Sequence, residues 1–179
     1  MPELSEPTAA VHQSFLRAIT DFEAEGRGVT DTDSALGRDI HAHRDTWATP
    51  EGFARYLREL TDAGDPALPP PVGWVRTSSF WLIDGDSYLG SIRIRHALIP
   101  ALMVSGGHIG YDIAPAWRRR GYGTRMLSLA LPRAAALGID PALITCDVDN
   151  EGSRRIIEAN GGRFEDEREG SLRFWVPTR

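Results

Sequence analysis

The stretch WRRRGYGTRM, residues 117–126, places three guanidinium groups directly before two glycines and the start of an amphipathic run. That order suits anion binding. Where a chain enters a helix, the first turn presents N–H groups with no intrahelical partner and a partial positive charge. Gly121 and Gly123 carry no Cβ to hold an anion away from that backbone. Arg118, Arg119 and Arg120 add forked donors suited to phosphate oxygens, with Tyr122 and Thr124 beside them. A dinucleotide fingerprint would need a third glycine at position 126, which is Met126. A formal net charge of -5 argues against a nucleic-acid partner. A solvated, arginine-rich turn that merely caps a helix needs no ligand at all.

Other residues could move protons or hold ligands. His108 lies in GGHIGYDIA, and an unperturbed imidazole titrates near 6.5, so it can accept a proton at neutral pH. Asp147, Tyr111 and Cys146 lie on or beside apolar, strand-like runs. His41 and His43, near Asp39 and Asp45, are read as solvent-facing or substrate-lining, and no metal is expected. Arg95 and His96 end a strand and point to opposite faces, so one of them can reach a cleft.

The elements that must position these groups follow from periodicity and punctuation. Thr8 to Glu25 reads as a helix, with Val11, Phe15, Ile19 and Phe22 on one face and Gly26 ending it. Residues 27–48 read as a long loop. Thr49-Pro50-Glu51 starts a second helix with a stripe of Phe53, Leu57 and Leu60, closed by Gly64. DPALPPPVGW is a stiff connection. SSFWLID and YLGSIRIRHAL form a hairpin about Asp84-Gly85-Asp86. Residues 106–114 give a third strand, Arg120 to Leu137 a helix that Pro132 should kink or split, and residues 142–148 a buried strand. Glu151 to Ala159 is a short helix, and GRFEDERE and SLRFWV form a last hairpin. Residues 106–148 thus make a β-α-β unit, expected to cross over right-handedly.

The whole chain sets bounds on these parts. Its 179 residues suffice for a single domain, with 1–65 as N-terminal helices and acceptor-side loop and 75–176 as the core. One cysteine excludes an intrachain disulfide. No apolar run nears a membrane span, and MPELSEPTAA lacks the regions of a signal peptide, so no membrane partner and a cytoplasmic location are expected. All 20 basic residues are arginine, so the protein has no lysine of its own to be modified.

Arg118-Arg119-Arg120-Gly121-Tyr122-Gly123 resembles the Q/R-x-x-G-x-G/A signature of the GCN5-related N-acetyltransferases. The context agrees: Ile113-Ala114-Pro115 resembles the family's entry to that loop, and VDNEGSRRIIEANGG its later N-x-x-S/A segment. The resemblance covers about residues 75–176. It implies an α/β (α+β) fold with a mixed, mostly antiparallel sheet, helices on both faces, and splayed fourth and fifth strands. It implies acetyl-coenzyme A as co-substrate, its pyrophosphate in the 118–124 loop, Asn150 and Ser153 at the coenzyme, and a backbone N–H near Ile113 as oxyanion donor. It implies direct transfer to a primary amine, either a small molecule or a peptide N-terminus. His108 is the leading base, where related enzymes carry a glutamate, and Asp147 the reserve, a weak base unless burial raises its pKa. The family's usual acid, a tyrosine, is replaced by Ile157, leaving Tyr111, Cys146 or water. The alternative is a coenzyme A-binding sensor of the same fold without turnover. The acceptor surface is expected from residues 27–48, 65–75 and 96–106, and a homodimer through the terminal hairpin is the candidate assembly.

Overall fold

The computed structural model describes residues 1–179. Seven strands form one sheet: β1 (Glu3–Ser5), β2 (Thr77–Asp84), β3 (Ser87–Arg95), β4 (Ile109–Ile113), β5 (Ala142–Asp147), β6 (Arg163–Arg168) and β7 (Ser171–Val176). Their spatial order is β1-β2-β3-β4-β5-β7-β6. All neighbours are antiparallel except β4 and β5, whose parallel pairing needs the crossover helix α5 (Tyr122–Ala136). β7 inserts between β5 and β6, paired from Ala142↔Val176 to Asp147↔Ser171. No helix is long and apolar enough to cross a membrane.

The sheet divides two cores because strand side chains alternate. On one face Leu82, Ile92, Ile94, Ile109 and Ile144 pack under α5 and α6 (Glu151–Ala159). On the other, Trp81, Ile83 and Tyr88 pack under α1 (His12–Ala24), α2 (Ala35–Trp47) and α3 (Pro50–Asp62). Phe15 centres this second core, 5.0 Å from Trp47 and 5.2 Å from each of Trp81 and Tyr88.

The predicted helices, hairpins and β-α-β unit stand where periodicity placed them, with four differences. Residues 27–48 are not one loop, because α2 occupies 35–47. Ser34 caps it by accepting the Gly37 N–H at 3.0 Å, but Leu36, Ile40 and Trp47 are its only buried large residues. So thin a stripe is held by tertiary packing rather than by local signal. The short edge strand β1 and the five-residue helix α4 (Pro100–Val104) carry no buried residue and no readable period. β4 starts at Ile109, because Gly106 and Gly107 take φ of 102° and 57°, outside strand geometry. Pro132 does not split α5, which continues through it.

Candidate functional site

The loop between β4 and α5 is built to leave backbone donors free. Pro115–Trp117 makes a tight 3₁₀ turn, Arg119 takes φ 61°, and Gly121 takes φ 80° as the residue before α5. No side chain caps the helix. From Arg119 to Thr124, no backbone N–H donates to a loop carbonyl or to a side chain. Several consecutive donors at a positive helix end form an anion cradle. A Cβ on Gly121 would meet no atom within 4 Å, so this glycine leaves space outside the loop. Gly123 acts differently from the sequence reading: it is buried, and a Cβ there would lie 2.4 Å from Ile156 Cδ1. Its smallness lets α5 approach α6.

The arginines divide similarly. Arg118 grips Glu25 through both Nη atoms at 2.8 Å and donates Nε to the Ile113 carbonyl at 3.0 Å, tying the end of α1 to the loop. Arg120 lies over the Trp117 ring at 5.1 Å. Arg119 is exposed. The backbone makes the cradle, and the exposed arginines supply charge around it.

Next to this loop the sheet parts. β4 meets β5 at one register position, Ile109↔Ile144. Arg95 donates its N–H to His108 O at 2.7 Å and Ala114 to Leu89 O at 2.9 Å, which sets the phase of the β3–β4 ladder. Alternation then turns the N–H groups of Tyr111 and Ile113 away from β3, toward the gap. Tyr111 Oη lies 2.8 Å from Ser153 Oγ on α6, and Asn150 caps α6 by accepting the Ser153 N–H at 3.0 Å. Burial pushes the Tyr111 phenol well above its usual range, so it holds its proton at neutral pH.

The gap opens into a cleft of ≈ 1110 Å³ on the α1–α3 face. Its wall includes residues from 27–38, 68–75 and 99–106, the three segments expected to form an acceptor surface. It also carries Tyr111, Asp147, Asn150 and Ser153. A cleft at parted strands, with an anion cradle beyond the end of β4, suits a long phosphorylated ligand entering from one side and a second reactant from the other.

A family model of the acetyltransferase (GNAT) domain matches residues 17–163. The chain belongs to the GNAT acetyltransferase family. As a GNAT acetyltransferase it takes its acetyl group from acetyl-coenzyme A, and the free N–H run fits that molecule's pyrophosphate. A search of curated proteins found no match. Solved structures share the fold at low identity. The RimL ribosomal L7/L12 α-N-protein acetyltransferase in complex with coenzyme A is 13% identical at TM-score 0.65, covering 99% of this chain and 94% of that one. A ribosomal-protein-S5-alanine acetyltransferase from Vibrio fischeri is 13% identical at 0.67, covering 99% and 93%. Campylobacter jejuni PseH in complex with acetyl-coenzyme A is 11% identical at 0.56, covering 100% of both chains.

Within this GNAT site, His108 has an employment other than the one expected. Its Nδ1 accepts the Leu143 N–H at 2.9 Å while its own N–H donates to Leu143 O at 2.7 Å. A neutral imidazole accepting at Nδ1 carries its proton on Nε2, leaving no lone pair for a substrate proton. Burial, then Arg95, lowers its pKa and favours this neutral form. His108 does not line the cleft; it holds the closed end of the β4–β5 junction together. Asp147 is exposed at the other end of β5 and faces the cleft. Ile157 is fully buried in the core under α5, so its position cannot offer an acid. Burial, then Asp147, pushes the Cys146 thiol up, so it stays protonated.

A charged wall on β3 and β4 lies outside any motif of the sequence. Arg93 pairs with Asp39 of α2, whose Oδ2 also accepts the Tyr56 hydroxyl at 2.6 Å. Burial alone would lower the Arg93 pKa, but Asp39 beside it prevails and holds it up. Arg27 reaches both Asp31 at 2.9 Å and Asp112 at 3.1 Å. Burial raises the Asp112 carboxyl against the pull of Arg27 and Arg93. The I-R-I-R spacing of residues 92–95 signalled two arginines on one strand face. Asp39 could not be placed opposite them while its helix was read as loop.

Proposed function

We propose that the protein moves the acetyl group of acetyl-coenzyme A directly to a primary amine in a ternary complex. The observation that carries this reading is the parting of β4 from β5 after one pair, between a loop of free N–H groups and an open cleft. The loop N–H groups from Arg119 to Thr124 hold the pyrophosphate, with Arg119 and Arg120 adding charge. The gap-facing N–H of Tyr111 or Ile113 polarises the thioester carbonyl. The amine attacks the carbonyl carbon and the C–S bond breaks. Asp147, through water, takes the amine proton, and Tyr111, in its pair with Ser153, gives its phenolic proton to the departing thiolate. Asn150 holds Ser153 in position by capping α6.

Neighbours named as acetyltransferases of ribosomal proteins support a peptide N-terminus as one acceptor class, beside small-molecule amines. The cytoplasm is the proposed place of work. Coenzyme A thiol release over a panel of amines tests the reading. Tyr111→Phe should lower kcat by about 100-fold while leaving acetyl-coenzyme A affinity unchanged. Tight acetyl-coenzyme A binding with no turnover of any amine would establish the sensor alternative instead.

A further inference from the structure

The cations of the cleft wall are not equally satisfied. Arg93 has Asp39, and Arg27 has Asp31 and Asp112. Arg95, two residues beyond Arg93 on the same strand face, has no carboxylate within ion-pair distance. Its Nη1 donates to the carbonyls of Gly106 at 2.8 Å and Gly107 at 3.1 Å, which fixes the guanidinium in place. Its Nε and Nη2 meet no protein acceptor. The free edge is the side-on fork of the guanidinium, two parallel donors spaced for the two oxygens of one anion.

Its position is specific. A Cβ on Gly110 would lie 3.6 Å from both Nη1 and Nη2 of Arg95. The guanidinium therefore lies over β4, on the acceptor face, one residue before Tyr111. Arg38 of α2 lines the same cleft, with its guanidinium 5.0 Å from the Trp74 ring and again no carboxylate partner. Burial, then Arg93 and Arg38, pushes the Arg95 pKa down to about 10, so the cation sits unneutralised among its like. The acids of the cleft stand elsewhere: Asp33 before α2, Glu59 and Asp62 on α3, with Glu59 3.3 Å from His43, and Asp147 on β5. The wall thus offers an anion site at Arg95 and a carboxylate, Asp147, across the gap for an amine.

We infer that the acceptor is an amine that also carries an oxyanion, a carboxylate or a phosphate, bound by the free fork of Arg95 with Arg38 beside it. This rests on the transferase reading, which places the thioester at the gap-facing amides. Strand rise sets the scale. From Gly110 to Tyr111 or Ile113 is about 3–10 Å, so amine and oxyanion are separated by a few bonds, as in an amino acid or a short aminoalkyl phosphate. A peptide N-terminus followed by a neutral residue would leave the fork empty.

The test compares β-alanine, 2-aminoethyl phosphate and the neutral β-alaninamide as acceptors, with wild-type protein, Arg95→Met and Arg95→Lys. The wild type should use at least one of the two anionic amines with kcat/KM about tenfold or more above the amide. Arg95→Met should erase that preference by raising KM for the anionic acceptor alone, and Arg95→Lys, which keeps charge but not the fork, should fall between. Preference for β-alanine assigns a carboxylate and for 2-aminoethyl phosphate a phosphate. Calorimetry of the three compounds with the coenzyme A-bound protein gives a second readout that needs no turnover. Equal use and equal binding of amide and anions, or a preference that survives Arg95→Met, overturns the oxyanion site. Turnover of the amide in that case leaves the transferase reading standing. Thermal unfolding of each variant separates loss of the fork from loss of the fold.

Discussion

The loop proposed for coenzyme A, residues 118–124, offers peptide N–H groups, which every sequence carries, whereas the proposed acceptor wall offers side chains from separate elements. The loop is local: a 3₁₀ turn, two positive φ angles and a helix start fit within the eight residues 115–122. The wall needs Arg27 beyond α1, Asp39 from α2, Tyr56 from α3, Arg93 and Arg95 from β3, and Asp112 from β4. Local backbone geometry can be shared across a family with little else in common. A charged wall can be rewritten residue by residue to suit a different acceptor. One fold can therefore keep its donor and change its acceptor.

Three measurements test this contrast. The largest effect is expected at the wall. Asp39→Ala leaves Arg93 largely buried and unpaired, and should destabilise the fold by about 3 kcal/mol. The double variant Asp39→Leu with Arg93→Met should recover most of that loss. A denaturant titration in which Asp39→Ala costs nothing would show that the wall is not a packed network. Next comes the loop. Gly121→Val should weaken acetyl-coenzyme A binding by about 100-fold, roughly 2.7 kcal/mol. Part of that reflects the left-handed conformation, which disfavours a Cβ by about 1–2 kcal/mol. Arg120→Ala should change affinity by only about threefold. Calorimetry showing the reverse order would make the cradle one of side chains rather than backbone.

The smallest effect concerns His108. Its folded pKa is lowered, so the imidazole contributes stability that is fully present above its unfolded pKa of about 6.5 and is lost as pH falls through the folded value. Protonation at Nδ1 destroys the acceptor for Leu143 N–H, a bond worth about 1 kcal/mol. His108→Asn should keep an acceptor near that place and remove the titration. Melting temperature against pH should then be flatter than wild type below about pH 6.5. An unchanged acid limb would show that His108 is not the residue that titrates there.

Much of the molecule was legible in advance because its signals are local. The stripe Val11, Phe15, Ile19 and Phe22, the Thr49-Pro50-Glu51 start and the Asp84-Gly85-Asp86 turn each act within a few residues. The loop was legible because two glycines, a helix start and arginines adjoin in the chain. α2 was not, since Leu36, Ile40 and Trp47 make a stripe too sparse to stand out without the core they enter. The packing of Gly123 was not legible because its neighbour, Ile156, lies 33 residues away in sequence. His108 was read by residue type, whereas its role follows from the backbone of Leu143 on another strand.

Most elements, α2, α4 and β1 apart, the β-α-β crossover and the glycine-arginine loop could be read from the chain alone, because periodicity, turn residues and helix starts are short-range properties. Only the tertiary structure decided where β4 leaves β5, which arginine meets which aspartate, and which guanidinium is left with an open fork. Those depend on charges and hydrogen-bonding groups distant in sequence. Their pairing is settled by burial, once the sheet and its helices have closed around them.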